Sequence, residues 1–158
     1  MNGMAQSGRP TLPPDSGWSM RQTWSDLLFA HWRIPGDRMR ELVPEPLEID
    51  TFDGDAWIGV VPFYMSGIRF RLLPPVPGTT SSLELNVRTY VRYRGRPGVY
   101  FFSLDAANRL IVTGGRTLYG LPYHRATMSL RKATYTRYEC ERKVKDLPPV
   151  EFRGVYRA

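Results

Sequence analysis

The sequence predicts a mainly β protein of barrel or sandwich type that also contains a short helix. Residues 83–94 alternate apolar and polar side chains, which is the repeat of a strand with one buried face. The 158 residues include 14 glycines and 14 prolines, so the chain turns often and its elements are short. Aromatic residues make up 13% of the chain, which is enough to build a hydrophobic core, so a wholly disordered chain is not expected.

The first third of the chain is predicted to contain a tail, a strand and a helix. Residues 1–17 are polar and rich in proline, which predicts a flexible tail ahead of a single domain at 18–158. Residues 22–33 mix aromatic and aliphatic side chains and predict a buried strand. A short helix is predicted at 37–43 with Asp37 as its N-cap, because an apolar stripe follows that residue and a proline ends it.

A hairpin and a series of strands are predicted for the rest of the chain. The segments 47–53 and 56–65 are expected to pair around the turn-forming dipeptide Asp53-Gly54. Residues 72–82 contain too much proline and glycine for a strand and predict a loop. Strands are then predicted at 83–94, 99–105, 109–117, 123–131, 134–143 and 150–156.

Composition excludes or disfavours several classes of protein and site. Cys140 is the single cysteine of the sequence, so an intrachain disulfide and a cysteine-based zinc site are excluded. No run approaches 18 apolar residues, so a membrane span is not expected. The N-terminal stretch lacks the apolar core of a signal peptide, and a cytoplasmic location is expected. His31 and His124 match no metal-binding spacing, so no metal site is expected. No cofactor is expected either.

Charge is distributed unevenly along the chain. Residues 1–66 carry 5 basic and 9 acidic side chains, a formal charge of −4, whereas residues 67–158 carry 17 basic and 6 acidic side chains, a charge of +11. A basic half indicates either nucleic acid or an anionic small molecule as partner. Arginine accounts for 19 of the 22 basic residues, as in chains from GC-rich genomes. Nucleic acid is the less favoured partner, since no helix-turn-helix, zinc finger or RNA-binding motif is visible.

The strand at 83–94 supplies the first candidate site residues. Glu84 and Arg88 are four positions apart, which places them on one face of the strand at a separation of about 13 Å. They are too far apart to pair directly. Two interpretations stay open: both side chains point into one barrel mouth, or they belong to a solvated face of the sheet.

The glycine-rich segment 113–124 supplies the second group of candidates. Its paired glycines allow unusual backbone angles or the close approach of another part of the chain. It lacks the spacing of a phosphate-binding loop. Strand alternation places Tyr123 and Arg125 on one side and His124 on the apolar side, so Tyr123 and Arg125 are the pair expected at a pocket or surface.

Several segments resemble the acetoacetate decarboxylase superfamily. Residues 37–50 (DRMRELVPEPLEID) resemble its early helix and strand, and GRTL at 115–118, followed by PYH at 122–124, resembles its GREL...PKK segment. Within the superfamily, the stretches LLFAHWRIP, DTFDGDAWIGVVPF, ELNVRTYV, GVYFFSLDA and GLPYHRA resemble the YqjF-like group, domain of unknown function 2071 (DUF2071). The resemblance covers about residues 22–131. It implies a cone-like antiparallel β-barrel with a flanking sheet, one or two short helices and an interior small-molecule pocket.

The sequence departs from the decarboxylases at the residues that carry their chemistry. In those enzymes the first lysine of the PKK pair forms a Schiff base with a β-keto acid, and its neighbour lowers the pKa of that lysine. Tyr123 and His124 stand at these two places, and a phenol cannot form an imine, so Schiff-base decarboxylation is expected to be lost. Glu84 matches a pocket glutamate of the decarboxylases, whereas Ser25 stands where they have an arginine near the active site.

These features lead to one main hypothesis and two alternatives. The main hypothesis is a pocket that binds a small anionic or carbonyl-bearing molecule, oriented by Glu84 and Tyr123. Its expected substrate-binding residues are Arg88, Arg116, His124 and Arg125. One alternative is a lysine-independent lyase or hydrolase in which Glu84 and Tyr123 are catalytic and transfer protons. The other is a basic interaction module that binds nucleic acid.

The length of the chain adds an expectation about assembly. Similar proteins continue for several tens of residues past a segment like 151–158, through strands that complete the barrel. The chain is therefore expected to be a fragment, or to have its barrel completed by a second chain, as in a homo-oligomer. An open sheet edge would otherwise be prone to aggregation.

Overall fold

The computed structural model describes residues 17–143, 145 and 148–157, so nearly all of the tail predicted at 1–17 lies outside the described residues. The elements are, in chain order, β1 (Met20–Ser25), β2 (Ala30–Ile34), α1 (Gly36–Leu42), β3 (Glu48–Ile49), β4 (Ala56–Phe70), β5 (Ser81–Tyr93), β6 (Arg96–Ala106), α2 (Arg109–Tyr119), β7 (Tyr123–Arg125), β8 (Thr127–Lys132), β9 (Thr136–Arg142) and β10 (Val150–Tyr156). The predicted mainly β class is confirmed. Neither helix in this part of the chain is long and apolar enough to cross a membrane.

The strands form two sheets. In the larger sheet, β1, β4, β5, β6 and β7 lie side by side, β2 pairs with β4, and β3 pairs with β5. These pairings are antiparallel except that of β6 with β7, which is parallel. The smaller sheet has the order β10-β9-β8 and is antiparallel. Among the described residues the larger sheet is open, with β1 and β7 at the two ends of its strand order, so these strands do not close the barrel implied by the resemblance.

The smaller sheet packs against one face of the larger sheet. Leu85 of β5 lies in a buried cluster with Ala126 and with Tyr138 and Cys140 of β9. Tyr138 is fully buried, and its hydroxyl donates a hydrogen bond to the backbone carbonyl of Glu84 at 2.8 Å. This bond links β9, the central strand of the small sheet, to β5 in the large sheet. It also gives the buried Tyr138 hydroxyl the hydrogen-bond partner that a buried polar group needs.

Each helix packs against a different part of the larger sheet. Met39 of α1 is fully buried against Val91 of β5, on the face that also carries the small sheet. On the opposite face, the buried side chains Val61 and Phe63 of β4 pack with Ile111 of α2. The strand alternation predicted for 83–94 therefore divides β5 between a covered core face and a second face, and the part of the second face that carries Glu84 and Asn86 lies under α2.

The segment 109–117, predicted as a strand, forms most of helix α2 instead. Asn108 begins this helix, since its side-chain oxygen accepts hydrogen bonds from the backbone N–H groups of Leu110 at 2.9 Å and Ile111 at 3.4 Å. Gly120 ends it in the left-handed conformation, with φ of 62°. The strand prediction was wrong because two central glycines weaken the helical signal and both caps lie outside the segment.

Two details of the first third also differ from the prediction. The segment 22–33 is two strands rather than one buried strand, because Asp26 has a φ of 54° and breaks the extended chain, and none of its side chains is fully buried. The N-cap of α1 is Pro35, which has no capping side chain. Asp37 lies in the first turn, where its carboxylate accepts a hydrogen bond from the N–H of Arg38 at 2.9 Å.

The hairpin predicted from 47–53 and 56–65 is present only as a tight turn. Asp53 and Gly54 both have positive φ, and the residues that flank them form a bridge. Strand β3, however, pairs with β5 through Glu48 and Arg92 rather than with β4. The prediction paired this segment with the strand that follows it in the chain, whereas in the structure its partner strand lies more than forty residues further along.

The other predicted strands are present with shifted bounds. The segment 123–131 divides into β7, which joins the larger sheet, and β8, which joins the smaller one. The predicted strands 83–94, 99–105, 134–143 and 150–156 correspond to β5, β6, β9 and β10. The predicted loop at 72–82 ends earlier than expected, because β5 already begins at Ser81.

Candidate functional site

A cavity of about 400 Å³ lies between α2 and the sheet face that carries Glu84. Its apolar and glycine lining consists of Met20, Trp24, Met65, Ile68, Phe70, Val76, Phe101, Leu104, Leu110, Ile111, Gly114, Gly115, Leu118, Tyr119 and Leu121. Its remaining lining residues are Gln22, Thr79, Glu84, Asn86 and Tyr123. Within the described chain this lining includes no lysine or arginine.

Glu84 and Tyr123 meet inside this cavity. Glu84 is only 4% exposed and lies in β5 between Phe63 of β4 and Ala106 of β6. Tyr123 lies in β7, whose parallel pairing with β6 sets it beside Leu104. The Tyr123 hydroxyl donates a hydrogen bond to Oε2 of Glu84 at 3.1 Å. The structure thus brings together the two residues predicted as catalytic, although 39 positions separate them in the sequence.

Helix α2 holds Tyr123 in place from above. Gly115 is buried, and a Cβ atom at this position would lie 2.3 Å from Cδ2 of the Tyr123 ring. Glycine therefore leaves the space that the ring occupies. The next residue, Arg116, is exposed, and its Nε donates a hydrogen bond to the backbone carbonyl of Tyr123 at 2.6 Å. Arg116 thus contacts the backbone of the site and does not line the cavity.

Burial changes the acid–base properties of this pair. Desolvation raises the pKa of Glu84 to about 7, and the hydrogen bond from Tyr123 offsets part of that rise. Burial also raises the pKa of Tyr123, and the charge and hydrogen bonding of Glu84 raise it further. Tyr123 therefore stays protonated and remains a donor, whereas Glu84 changes its protonation state near neutral pH. A carboxyl group with this pKa is suited to either accept or donate a proton.

Asn86 is a site residue that the sequence did not single out. It lies two positions after Glu84 on β5, is 2% exposed and lines the same cavity. Its Oδ1 atom is buried and has no hydrogen-bond partner among the described residues. A buried side-chain amide with unused hydrogen-bonding capacity is uncommon, which makes Asn86 a candidate for contact with a ligand. The sequence could have identified Asn86 as a candidate, because the alternation in residues 83–94 places it on the same strand face as Glu84.

Arg88 lies on the same strand face as Glu84 but does not line the cavity. Its guanidinium carbon lies 5.3 Å from the centre of the Phe29 ring and 5.7 Å from that of Tyr90. The pairing of β5 with β6 is irregular between Val87 and Arg88. Of the two interpretations left open for Glu84 and Arg88, a shared barrel mouth is not formed by the lining of this cavity, which includes Glu84 and not Arg88.

His124 and Arg125 also lie outside the cavity lining. His124 pairs in register with Asp105, which is buried and forms a salt bridge with Arg142 at 3.3 Å. Burial lowers the pKa of His124, and the charges of Arg142 and Arg116 lower it further. Arg125 is exposed and borders a separate groove near β8 and β9. The residues that line the cavity therefore include Glu84 and Tyr123 but none of the predicted substrate-binding residues.

No metal site accompanies this cavity in the part of the chain that the structure describes. Within those ranges, His, Cys, Asp and Glu side chains do not gather in groups of three or more that could hold an ion. Cys140 is buried in the core between the sheets, where desolvation raises its pKa to about 12. A thiol with that pKa is a poor nucleophile at neutral pH.

Sequence comparison matches residues 21–158 to a family model described as an uncharacterized conserved protein, DUF2071. The chain is 54% identical over 119 residues to the uncharacterized protein YqjF of Bacillus subtilis, covering 75% of this chain and 49% of that protein. It is 31% identical over 111 residues to acetoacetate decarboxylase 2 of Mesorhizobium japonicum, covering 70% and 38% of the two chains. The chain therefore spans about half the length, or less, of the curated relatives it matches.

Solved structures with the same fold are more distant in sequence. An acetoacetate decarboxylase from Legionella pneumophila superimposes with a TM-score of 0.58 at 15% identity, over 87% of this chain and 51% of that one. The enduracididine biosynthesis enzyme MppR, in complex with a condensation product of pyruvate, gives a TM-score of 0.57 at 16% identity, over 85% and 53%. At these identities the likeness shows a common fold and carries no information about substrate.

Proposed function

The chain belongs to the DUF2071 family, and we propose that the cavity beneath α2 binds a small uncharged molecule with an apolar body and one carbonyl group. The observation that carries the proposal is the buried carboxyl group of Glu84 beside the amide of Asn86, in a lining that is otherwise largely apolar. Small-molecule sites commonly combine an apolar wall with a few polar groups that orient the ligand.

The charges around the cavity favour a carbonyl compound over an anion. A buried anion needs a nearby cation, because removing its charge from water is costly. The described lining offers no lysine or arginine for that purpose. Glu84 would repel an anion whenever it is ionised, and its pKa of about 7 allows ionisation at neutral pH. Of the two ligand classes expected from the sequence, the carbonyl-bearing class therefore fits better.

Glu84 and Asn86 can hold a carbonyl oxygen together. The Tyr123 hydroxyl donates to Oε2 of Glu84, which leaves the other carboxyl oxygen to carry the proton when Glu84 is neutral. That O–H group and the amide N–H of Asn86 are donors on the same face of β5. A ligand carbonyl can accept from both donors, whereas the Oδ1 of Asn86, unpartnered among the described residues, is an acceptor and stays available to a donor group of the ligand.

A Schiff-base mechanism is not part of the proposal. Tyr123 and His124 stand where the resemblance to the decarboxylases places their lysine pair, and neither side chain is an amine. The lysines of the sequence are Lys132, Lys143 and Lys145, and none of them lines the cavity. Binding therefore uses hydrogen bonds and apolar contact rather than an imine.

Proton transfer at the bound ligand is a second candidate function. The observation that favours it is the pKa of Glu84, which lies close to neutral pH, where a general acid or base works best. In its ionised form Glu84 would take a proton from the carbon next to the carbonyl, and Asn86 would donate a hydrogen bond to the developing enolate oxygen. Exchange of those hydrogens for deuterium, followed by NMR, distinguishes turnover from binding alone.

The probe for the main proposal is 2-heptanone, titrated into the full chain by calorimetry at pH 6.0 and pH 8.5. We expect the ketone to bind at least fivefold more tightly at pH 6.0, because Glu84 donates a hydrogen bond only while it is protonated. Hexanoate, an anion of similar length, is expected to bind more weakly at both pH values. In Glu84→Gln the amide donates at either pH, so the pH dependence should disappear.

The control variant is Glu45→Gln, which removes an exposed carboxylate from the loop after α1 and should keep the wild-type pH dependence. Tighter binding of hexanoate than of 2-heptanone would overturn the assignment of ligand class. Equal pH dependence in the wild type and in Glu84→Gln would remove Glu84 from the site. Absence of 2-heptanone binding at both pH values would contradict the proposal as a whole.

A further inference from the structure

A second cleft lies on the same face of the larger sheet, away from the Glu84 cavity. It encloses about 580 Å³, and the two lining sets share no residue. Five polar side chains line this cleft, contributed by β2, by β5 and by the segment after β3: His31, Tyr90, Arg92, Asp50 and Thr51. Its aromatic lining is Phe52, which is 74% exposed, and Trp57 of β4.

Gly59 clears the floor on which these side chains meet. It lies in β4 between His31 of β2 and Arg88 of β5, in register with both. A Cβ atom at this position would lie 3.0 Å from Nε2 of His31 and 3.5 Å from Cγ of Arg88. The glycine therefore allows side chains from the two neighbouring strands to converge over the central one.

The Tyr90 hydroxyl is held from two sides. Nε2 of His31 lies 2.7 Å from the Tyr90 oxygen, and the two rings stack with their centres 5.7 Å apart. A guanidinium nitrogen of Arg88 lies 3.5 Å from the same oxygen. Within the described ranges Arg88 forms no salt bridge, and its Nε atom is buried without a hydrogen-bond partner. Arg88 therefore places a positive charge, without an ion-pair partner among the described residues, beside the Tyr90 hydroxyl on the sheet face that carries the cleft.

Arg92 presents part of its guanidinium group to the cleft. Its Nε donates to Oδ1 of Asp50 at 2.9 Å, and both side chains are about one-third exposed. This contact uses one of the three nitrogens and fixes the orientation of the group. The two terminal nitrogens have no partner among the described residues, and together they form the planar pair that binds a carboxylate in bidentate fashion.

We propose that this cleft is a second binding site, which takes a carboxylate attached to an aromatic ring. The terminal nitrogens of Arg92 and the hydroxyl of Tyr90 bind the carboxylate. The aromatic pair Phe52 and Trp57, whose ring centres are 6.4 Å apart, packs against the ligand ring. The two sites differ in their ionic groups: Arg92 and its ion-pair partner Asp50 line this cleft, and the terminal nitrogens of Arg92 are free of that pair, whereas the described lining of the Glu84 cavity has no cation.

The test uses benzoate, titrated into the 15N-labelled full chain, with the indole N–H signal of Trp57 as the reporter. Benzamide has the same ring without the negative charge and is the ligand control. We expect benzoate to shift the Trp57 signal with saturation, and benzamide to bind at least tenfold more weakly. Arg92→Gln should weaken benzoate at least tenfold. Arg38→Gln removes the same charge from an exposed position on α1 and should change the affinity less than twofold.

Two further variants keep the proposal open to refutation. Tyr90→Phe removes only the hydroxyl and should lower the affinity for benzoate by threefold or more. If Arg92→Gln does not fold, this variant tests the proposed site in its place. Glu84→Gln should leave benzoate binding unchanged, because Glu84 belongs to the other site. Equal affinity for benzoate and benzamide, or an unchanged affinity in both cleft variants, would overturn the proposal.

Discussion

Gly115→Ala is expected to lower the free energy of unfolding by about 3 kcal/mol and to break the contact between Tyr123 and Glu84. The added Cβ would lie 2.3 Å from one carbon of the Tyr123 ring and 2.5 Å from another, which is far below van der Waals contact. The clashing atoms, Cδ2 and Cε2, form one edge of the ring, and Cγ would also lie only 3.1 Å away, so a shift of the hydroxyl end alone does not relieve the contact. Either α2 or Tyr123 has to move.

The displacement has a second cost inside the cavity. Glu84 is buried, and the Tyr123 hydroxyl is the donor that its side chain has among the described residues. Loss of that hydrogen bond leaves a buried carboxyl group without its partner, which destabilises a fold more than a lost surface contact does. Gly115→Ala is therefore expected to weaken 2-heptanone binding as well as stability.

The neighbouring glycine provides a matched control. A Cβ at Gly114 would meet no atom within 4 Å, and both glycines lie in α2. Gly114→Ala should therefore leave stability unchanged or raise it by up to about 1 kcal/mol, because alanine favours a helix more than glycine does. Urea denaturation of the two variants and the wild type measures the difference. Equal stabilities for Gly114→Ala and Gly115→Ala would show that Tyr123 is not packed against α2.

Glu84→Gln is expected to stabilise the fold at pH 8 by about 3 kcal/mol and to have little effect at pH 4. The pKa of Glu84 is raised from 4.5 to about 7 in the folded chain, chiefly by burial. Between these values the folded state binds a proton that the unfolded state releases, so the wild type loses stability as the pH rises from about 4.5 to about 7. Glutamine has a similar shape and does not titrate, so the variant avoids this loss.

Paired denaturation curves of wild type and variant from pH 4 to pH 8.5 check this expectation. Asp105 also has a raised pKa, caused by burial and opposed by Arg142, but it is present in both proteins and its effect cancels in the difference. The difference should grow between pH 4.5 and pH 7 and then level off. A stability difference that does not change with pH would mean that Glu84 titrates as an exposed carboxyl group does.

The sequence was most informative where a pattern was long and repeated. Twelve alternating residues identified β5 and placed Glu84 on a defined face, and the same alternation put Tyr123 and His124 on opposite sides of β7. It was least informative at α2, where the cap residue Asn108 and the close approach at Gly115 are tertiary features. The residues around Gly115 in the sequence do not indicate that the Tyr123 ring packs against it.

Contacts between segments that are far apart in the chain could not be predicted from local sequence patterns either. Strand β3 pairs with β5 across more than forty residues, although a nearer partner was available in β4. Asn86 belongs to the cavity because α2 covers that part of the sheet, and α2 itself was predicted as a strand. The predicted arginines do not gather at the cavity because they lie on three different elements, Arg88 on β5, Arg116 on α2 and Arg125 on β7.

The most direct measurement is an NMR titration of the side-chain carboxyl carbon of Glu84 in the full chain. We expect a midpoint near pH 7, because burial raises the pKa of this group. In Tyr123→Phe the midpoint should move higher, since the hydrogen bond from Tyr123 favours the ionised form. A midpoint between pH 4 and pH 5 that does not respond to Tyr123→Phe would contradict a buried Glu84–Tyr123 pair and the ligand site built on it.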